Sequence, residues 1–226
     1  MAALGARSRG ELVMSAADPI TQERVYRALK ADYLAGLFHA GEKLEIQDIA
    51  DRHGASKTPV REAACRLMGE GLVEPDSAGG FRVTLATPLE LIHLYAWNTH
   101  LLLGLAQRMK KSVLSQTLDR FSRAGFGSTP VEIATLTGSI FLAFAESTGN
   151  TEAMAAIAQI NERLFYQRVA GAAKIKEAAR ELRTMTNSAV ADVHKSVHRR
   201  IESYHERRID HQQQIIQKQA QEALER

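Results

Sequence analysis

Within thirteen residues the chain sets Ser56, Lys57, Thr58, Arg61 and Arg66 after a glycine, Gly54. Hydroxyls and cations at this spacing are hydrogen-bond donors of the kind that meet phosphate oxygens and the acceptor atoms on base edges. A second group lies near the other end: His194, His198 and His205 fall within about 40° of one another on a helix. An i, i+4 imidazole pair chelates zinc, nickel or copper, provided other helices supply the remaining ligands. Catalytic chemistry is poorly represented. No phosphate-binding loop, dinucleotide glycine pattern or nucleophile elbow is present, and no enzyme is expected. The single cysteine, Cys65, excludes an intramolecular disulfide and an all-cysteine metal site, and beside Ala64 it reads as a small buried side chain.

The donors need a rigid platform, and the local pattern supplies one. Ile46, Ile49 and Ala50 give the buried side of a short helix, Gly54 a tight turn, and Ser56 the cap of a second helix. At about 100° per residue, Val60, Ala63 and Leu67 fall on one side of that second helix. Thr58, Arg61 and Glu62 fall on the other, with Lys57 at the border. This is the layout of a helix-turn-helix, in which the first two turns of the second helix enter the major groove. Pro59 fixes the first helical turn. After Gly69 and Gly71, Leu72-Val73-Glu74 and Phe81-Arg82-Val83 read as strands around a turn containing Gly79 and Gly80, a hairpin wing.

The pattern Ile49-Ala50-Asp51, Gly54, Ser56-Lys57-Thr58-Pro59-Val60-Arg61-Glu62-Ala63, Arg66-Leu67, Gly71-Leu72-Val73 resembles the winged helix-turn-helix of GntR-type bacterial transcription regulators. The resemblance implies double-stranded DNA as partner. Lys57 and Arg61 would meet phosphates or guanine, and Ser56 and Thr58 the backbone. Pro59 and Arg66, on the same helix, are counted with them as DNA-binding residues, and Gly80 and Arg82 would reach in from the wing. Gln47, on the preceding helix, would face DNA or solvent. Residues Pro19 to Leu85 are close to neutral, so binding must rest on local placement, although the whole chain carries a net charge of +3.

With 226 residues, 45% hydrophobic and 24% charged, the chain has the composition of a soluble globular protein. No apolar run approaches the roughly 18 to 20 residues that span a bilayer, so no membrane partner and a cytoplasmic location are expected. Residues 1–18 read as a flexible arm. Residues 19–85 form the winged helix-turn-helix domain. A first helix starts at Pro19 and reaches about Ala35, where Gly36 ends it. Thr87-Pro88-Leu89-Glu90 is a capping box that opens a second domain, residues 86–226. There the apolar residues recur at helical spacing from Leu91 to Met109 and from Val113 to Phe121; after the loop Gly125 to Pro130, helices run from about Val131 to Ser147, Thr151 to Ala170, Ala172 to Met185 and Ser188 to Gln217. The fold class is mainly α: a winged head followed by an all-α bundle of about six helices. The tail from His211 to Arg226 reads as a final helix that packs on a partner subunit or frays.

In this order the elements look like the FadR branch of the GntR family, with an FCD-type helical C-terminal domain that mediates dimerisation and senses a small acid. Many members carry Asp-x-x-Phe-His ahead of a Gly-Asn pair, with the Asp and His binding a divalent metal. Here Phe141, Gly149 and Asn150 keep the pattern, but Gly138 stands for the aspartate and Leu142 for the histidine. Neither donates a lone pair to a metal, so no cofactor is expected. Asn98 stands where the family has an arginine and Leu102 where it has a glutamate; the next metal position falls on Glu181 or Leu182. The resemblance therefore implies a homodimer, an unknown small-molecule effector, and a pocket near Asn98, Leu142, Glu146, His194 and His198. An alternative is a metal or small-molecule binding helical protein whose DNA-binding heads are vestigial.

Overall fold

The computed structural model describes residues 19–122, 127–173 and 175–225. The proposed arm, 1–18, and most of the loop after residue 122 lie outside the described residues. The head comprises α1 (Pro19–Leu34), α2 (Ile46–Arg52), α3 (Lys57–Gly69), β1 (Val73–Pro75) and β2 (Phe81–Val83). Val25, Leu29, Ile49, Val60, Leu67, Leu72 and Val83 form its core, each at most 2% exposed. Periodicity alone places most of these side chains, because a face that alternates at three and four residues must be covered by another element.

The wing is a two-stranded antiparallel sheet in which Val73 faces Val83, Glu74 faces Arg82 and Pro75 faces Phe81. A third segment extends it: Leu44 donates its amide to the Phe81 carbonyl at 2.8 Å, and Val83 donates to Glu42 at 2.8 Å. The inner edge of the hairpin is thereby paired, leaving the tip to project.

The second domain comprises α4 (Pro88–Arg108), α5 (Lys111–Ser122), α6 (Pro130–Glu146), α7 (Thr151–Arg163), α8 (Phe165–Gly171), α9 (Ile175–Met185) and α10 (Val193–Leu224). Thr87 and Glu90 form both halves of the capping box that the sequence predicts. Asn150 caps α7 by accepting from the Ala153 amide. Among the described residues seven helices stand where about six are expected, because the single helix expected from Thr151 to Ala170 is broken at Leu164. The break has a packing cause: Leu164 is buried against α4, while Phe165 turns into the core of the head. The last helix starts at Val193 rather than Ser188, where the Asp192 carboxylate accepts from the Lys195 amide at 3.0 Å. It packs most extensively on α4. Leu102, Leu114, Leu118, Phe141, Phe144, Val197 and Ile201 make up the centre of the bundle.

The α7–α8 elbow also fastens the head. Tyr166 lies edge-on to Tyr33 at 4.8 Å and donates its hydroxyl to the Tyr33 carbonyl at 3.1 Å. Lys30 is shared between Glu70 of the head, 2.9 Å away, and Glu162 of α7, at 3.0 Å. Burial opposes the charge on Lys30, but these two carboxylates and the Tyr26 hydroxyl outweigh it and hold its pKa above the usual lysine value. Gly36 ends α1 at φ +72°, and a β-carbon there would sit 2.9 Å from Val131 of α6, so glycine is required by both backbone and neighbour.

Candidate nucleic-acid interface and the buried centre behind it

Arg24 of α1 sets the angle between α2 and α3 by donating to the His53 carbonyl at 2.8 Å, which occupies an orphan acceptor at the end of α2. Gly54 follows at φ +56°, a conformation that costs other residues about 1–2 kcal/mol. The turn delivers α3 with Val60, Ala63 and Leu67 buried and Lys57, Thr58, Arg61 and Glu62 exposed. Lys57 and Arg61 have no ion pair among the described residues, so their donors face outward uncommitted.

The remaining candidates differ in how free they are. Ser56 occupies the cap position of α3 and is exposed, but its hydroxyl accepts no cap hydrogen bond, contrary to expectation. Its extended backbone turns the chain into the helix, and the hydroxyl is left for solvent or phosphate. Pro59 is buried and therefore shapes the first turn instead of lying on the outer surface. Gln47 is exposed but donates to Asp51 one turn along, at 2.7 Å. Arg66 stacks on Tyr26 with its guanidinium 3.5 Å from the ring centre and pairs with Glu23 at 2.6 Å. Arg82 pairs across the wing with Glu74 at 2.6 Å. Gly79 and Gly80, at φ +89° and +90°, have open space where a β-carbon would be. Asp76 folds the tip by accepting from the Ala78 amide at 2.8 Å. Cys65 is exposed, which corrects the expectation of a buried thiol.

In the helical domain the structure brings together a different set from the one predicted. Asn98 lies at the centre, fully buried. Leu142 is half-buried and packs against the main core. Glu146 is exposed, with Arg120 4.0 Å away. His194 places Nε2 2.8 Å from the Met109 carbonyl, and His198 is exposed beside Glu202. Among the described residues no group of three or more His, Cys, Asp or Glu is placed to hold a metal. The three histidines share a helical stripe, but only His205 faces inward.

His205 is fully buried. Its Nδ1 lies 2.7 Å from the Ile201 carbonyl, which can only accept, so Nδ1 carries the proton and Nε2 accepts from the Asn98 amide at 3.0 Å. Phe141 stacks on the imidazole at 5.6 Å. Burial pushes the His205 pKa down to about 3, and the charges of Arg168 and Arg208 add to the effect.

Arg168, buried on α8, is the principal residue that the sequence reading missed. Its Nη1 donates to Asn161 Oδ1 at 2.8 Å, and Asn161 in turn donates to the Gly138 carbonyl at 2.8 Å. A β-carbon on Gly138 would lie 3.6 Å from both Arg168 Nη1 and Asn161, an ordinary contact, so only a side chain larger than a methyl group would press on this pair. Burial lowers the Arg168 pKa, and the Tyr204 and Tyr95 phenols offset part of that. Glu181 is not available to it, being paired with Arg207 and, at 2.8 Å, with Arg208. Burial raises the Glu181 pKa, and those arginines more than reverse it.

Residues 21–83 match the family described as "Bacterial regulatory proteins, gntR family". The uncharacterized HTH-type transcriptional regulator YdhC of Bacillus subtilis (strain 168) is 33% identical over 70 residues, 31% of each chain. The HTH-type transcriptional repressor GlaR of Escherichia coli (strain K12) is 34% identical over 76 residues, 34% of each chain. The match thus spans about a third of the length of these curated relatives. Among solved structures, E. coli McbR/YncC aligns with a TM-score of 0.65 at 18% identity, covering 87% of this chain and 98% of that one. A putative transcriptional regulator GntR from Rhodococcus sp. RHA1 aligns at 0.69 and 17% identity, covering 86% and 97%. These two show that a winged head on a helical bundle is a shared fold. Over residues 21–83 the N-terminal domain is similar to the gntR family of bacterial regulatory proteins.

Proposed function

We propose that this protein is a cytoplasmic, ligand-responsive transcriptional repressor that binds a pseudo-palindromic operator as a homodimer. The observation that carries the reading is the outer edge of α3, where Lys57, Thr58 and Arg61 stand exposed on a helix whose opposite face is locked into the head. Cations there neutralise phosphates, and an arginine on the first two turns reaches guanine O6 and N7. The glycine tip of the wing lets backbone amides approach the neighbouring phosphates. No helix among the described residues is long and apolar enough to cross a membrane.

Dimerisation through the helical domain sets the distance between two heads and hence between half-sites. The outer face of α4 supports this, since Leu89 and Trp97 are 54% and 55% exposed and fall on one stripe. On that stripe Gly104 has open space where a side chain would be. An effector in the bundle would act through the α7–α8 elbow, because Asn161 and Arg168 face the buried centre while Glu162 and Tyr166 hold the head. A shift of that elbow changes the posture of the heads, a coupling of about 1–3 kcal/mol in typical cases.

Sedimentation tests the assembly. The wild type is expected at the mass of a dimer, alone and on operator DNA. Trp97→Asp is expected to sediment as a folded monomer and to lose operator affinity by at least about tenfold, since it keeps only one head per encounter. A monomeric wild type that occupies both half-sites independently would contradict the reading.

A further inference from the structure

The outer face of α4 is self-complementary about its middle. Leu89, His93, Trp97, His100 and Gly104 are all exposed and, at about 100° per residue, lie within about 50° of one line along the helix. Leu91, Leu94, Asn98 and Leu102 bury the opposite face, so the stripe is held rigidly. Reversing the line about a point midway between Ala96 and Trp97 exchanges Leu89 with Gly104, Trp97 with Ala96 and His93 with His100. Each large apolar group is thus set against a small residue, which is the reciprocal matching that a two-fold interface requires. Leu89 and Trp97 stand out from the surface, while Gly104 has open space where a β-carbon would be. Two copies of α4 packed antiparallel fill each gap with a side chain of the other.

The same exchange brings two imidazoles together. His100 Nδ1 lies 2.7 Å from the Ala96 carbonyl, which can only accept, so Nδ1 carries the proton and Nε2 keeps its lone pair at the outer end of the ring. A backbone bond to the other ring nitrogen is the usual way in which a metal-ligating histidine is oriented. His93 makes no hydrogen bond among the described residues and is exposed. Within one chain the two histidines are seven residues apart, about 10 Å along the helix, too far to share an ion. Across the antiparallel pair they face each other from helices about 8–10 Å apart, within reach of a common ion. We infer that α4 carries half of a transition-metal site that a second copy completes: His93 of one subunit and the partner's His100 hold one divalent ion, twice per dimer. This rests on the dimer through α4 proposed above. Imidazoles select zinc, nickel or copper over magnesium, which prefers oxygen ligands, and water fills the remaining positions. An ion held only by the dimer favours it by mass action, so metal would strengthen the pairing of the two heads.

Sedimentation of the full, chelator-stripped chain over a range of concentrations tests the site, with zinc, nickel or magnesium chloride added in modest excess. The dissociation constant of the dimer is expected to fall at least about tenfold in zinc or nickel, not in magnesium, and to recover when EDTA is added. His93→Ala and His100→Ala, each compared with its own metal-free state, are expected to lose the zinc response. Mixing the two variants separates a shared site from zinc bound elsewhere on either chain. Their heterodimer keeps one complete pair, His93 from one chain and His100 from the other, so the mixture is expected to regain part of the response. Where the stripped wild type is already wholly dimeric, thermal unfolding reads the same linkage: zinc raises Tm by about 3 °C or more in the wild type, less in the mixture, and not in either variant alone. The proposal is overturned if zinc changes neither readout, if magnesium matches it, if either variant alone keeps the response, or if the mixture regains none. A metal-free dimer that Trp97→Asp abolishes, with no response to zinc, sinks this site and leaves the dimer reading standing; a chain that is monomeric with and without zinc sinks both.

Discussion

Arg61→Ala is expected to lower affinity for a verified operator more than tenfold at fixed salt. The magnitude follows from what the side chain is free to do: a bidentate pair with guanine discriminates by about 1–3 kcal/mol, and about 1.4 kcal/mol is a factor of ten. Arg61 is exposed, sits in the second turn of α3 and has no ion pair among the described residues. Arg66 is the internal control. Its stacking on Tyr26 and its pairing with Glu23 commit it to holding α1 against α3, so Arg66→Ala is expected to affect binding far less than Arg61→Ala. Lys57→Ala is a different kind of change, weakening all duplexes alike and reducing the slope of log K against log salt by about one. Titrations of labelled duplex at several salt concentrations measure all three. Unchanged affinity in Arg61→Ala would remove that residue from the contact set.

The second large effect concerns stability and acid. His205 is neutral in the fold, with its pKa depressed to about 3 from an ordinary 6.5. Between those values the unfolded chain binds a proton that the folded chain refuses, so folding free energy falls as pH falls. The stabilisation is fully present above pH 6.5 and lost through the window below it, at about 1.4 kcal/mol per pH unit. Facing the imidazole are Asn98 of α4, Phe141 of α6 and the positive charges of Arg168 and Arg208, and none of these welcomes an imidazolium. Glu181 opposes the shift, but its carboxylate is engaged by Arg207 and Arg208. Urea unfolding of the wild type and of His205→Gln from pH 7 to pH 4 isolates this contribution from the surface carboxylates common to both. The wild type is expected to lose about 3 kcal/mol more than the variant over that range. Parallel losses would show that His205 does not titrate at its buried position.

The head was readable from sequence because its signals are local. Gly54 marks the turn, Val60, Ala63 and Leu67 give the buried face at three- and four-residue spacing, and Thr87 to Glu90 carries a complete capping box. Each such feature is decided within a few residues. What depended on distant partners was hidden. Nothing local marks Arg168 within Phe165-Tyr166-Gln167-Arg168-Val169-Ala170; its role depends on Asn161, seven residues away across a helix break, and on the Gly138 carbonyl of another helix. The break at Leu164 has no glycine or proline to announce it; burial of Leu164 and Phe165 in different clusters causes it. Ser56 shows the limit of a local rule, since residue type marks the end of the helix correctly while the hydrogen bond that motivates the rule does not form. The histidine stripe shows the same limit, because spacing places imidazoles on one side of a helix without saying which of them meets the core. Only His205 does.

Coverage by relatives is uneven. Residues 21–83, which carry the surface proposed to meet DNA, are the segment that matches the family model. The bundle needs only apolar positions at the right period to fold, and head and bundle together recur in structures 17–18% identical over 86–87% of the chain. Gly138, Asn161 and Arg168 form a unit within it. They use the centre of the bundle for a guanidinium, whereas the resemblance described above would place metal ligands there.

Selection of duplexes from a random pool by the purified full chain, followed by sequencing of the bound DNA, tests the reading of α3 most directly. The enriched DNA is expected to contain two short half-sites in inverted repeat with centres about one helical turn apart, and the Arg61→Ala chain is expected to lose the preference at one base pair of each half-site. A pool that emerges without any enriched sequence, or one enriched identically by the wild type and by a chain lacking both Lys57 and Arg61 side chains, would contradict it.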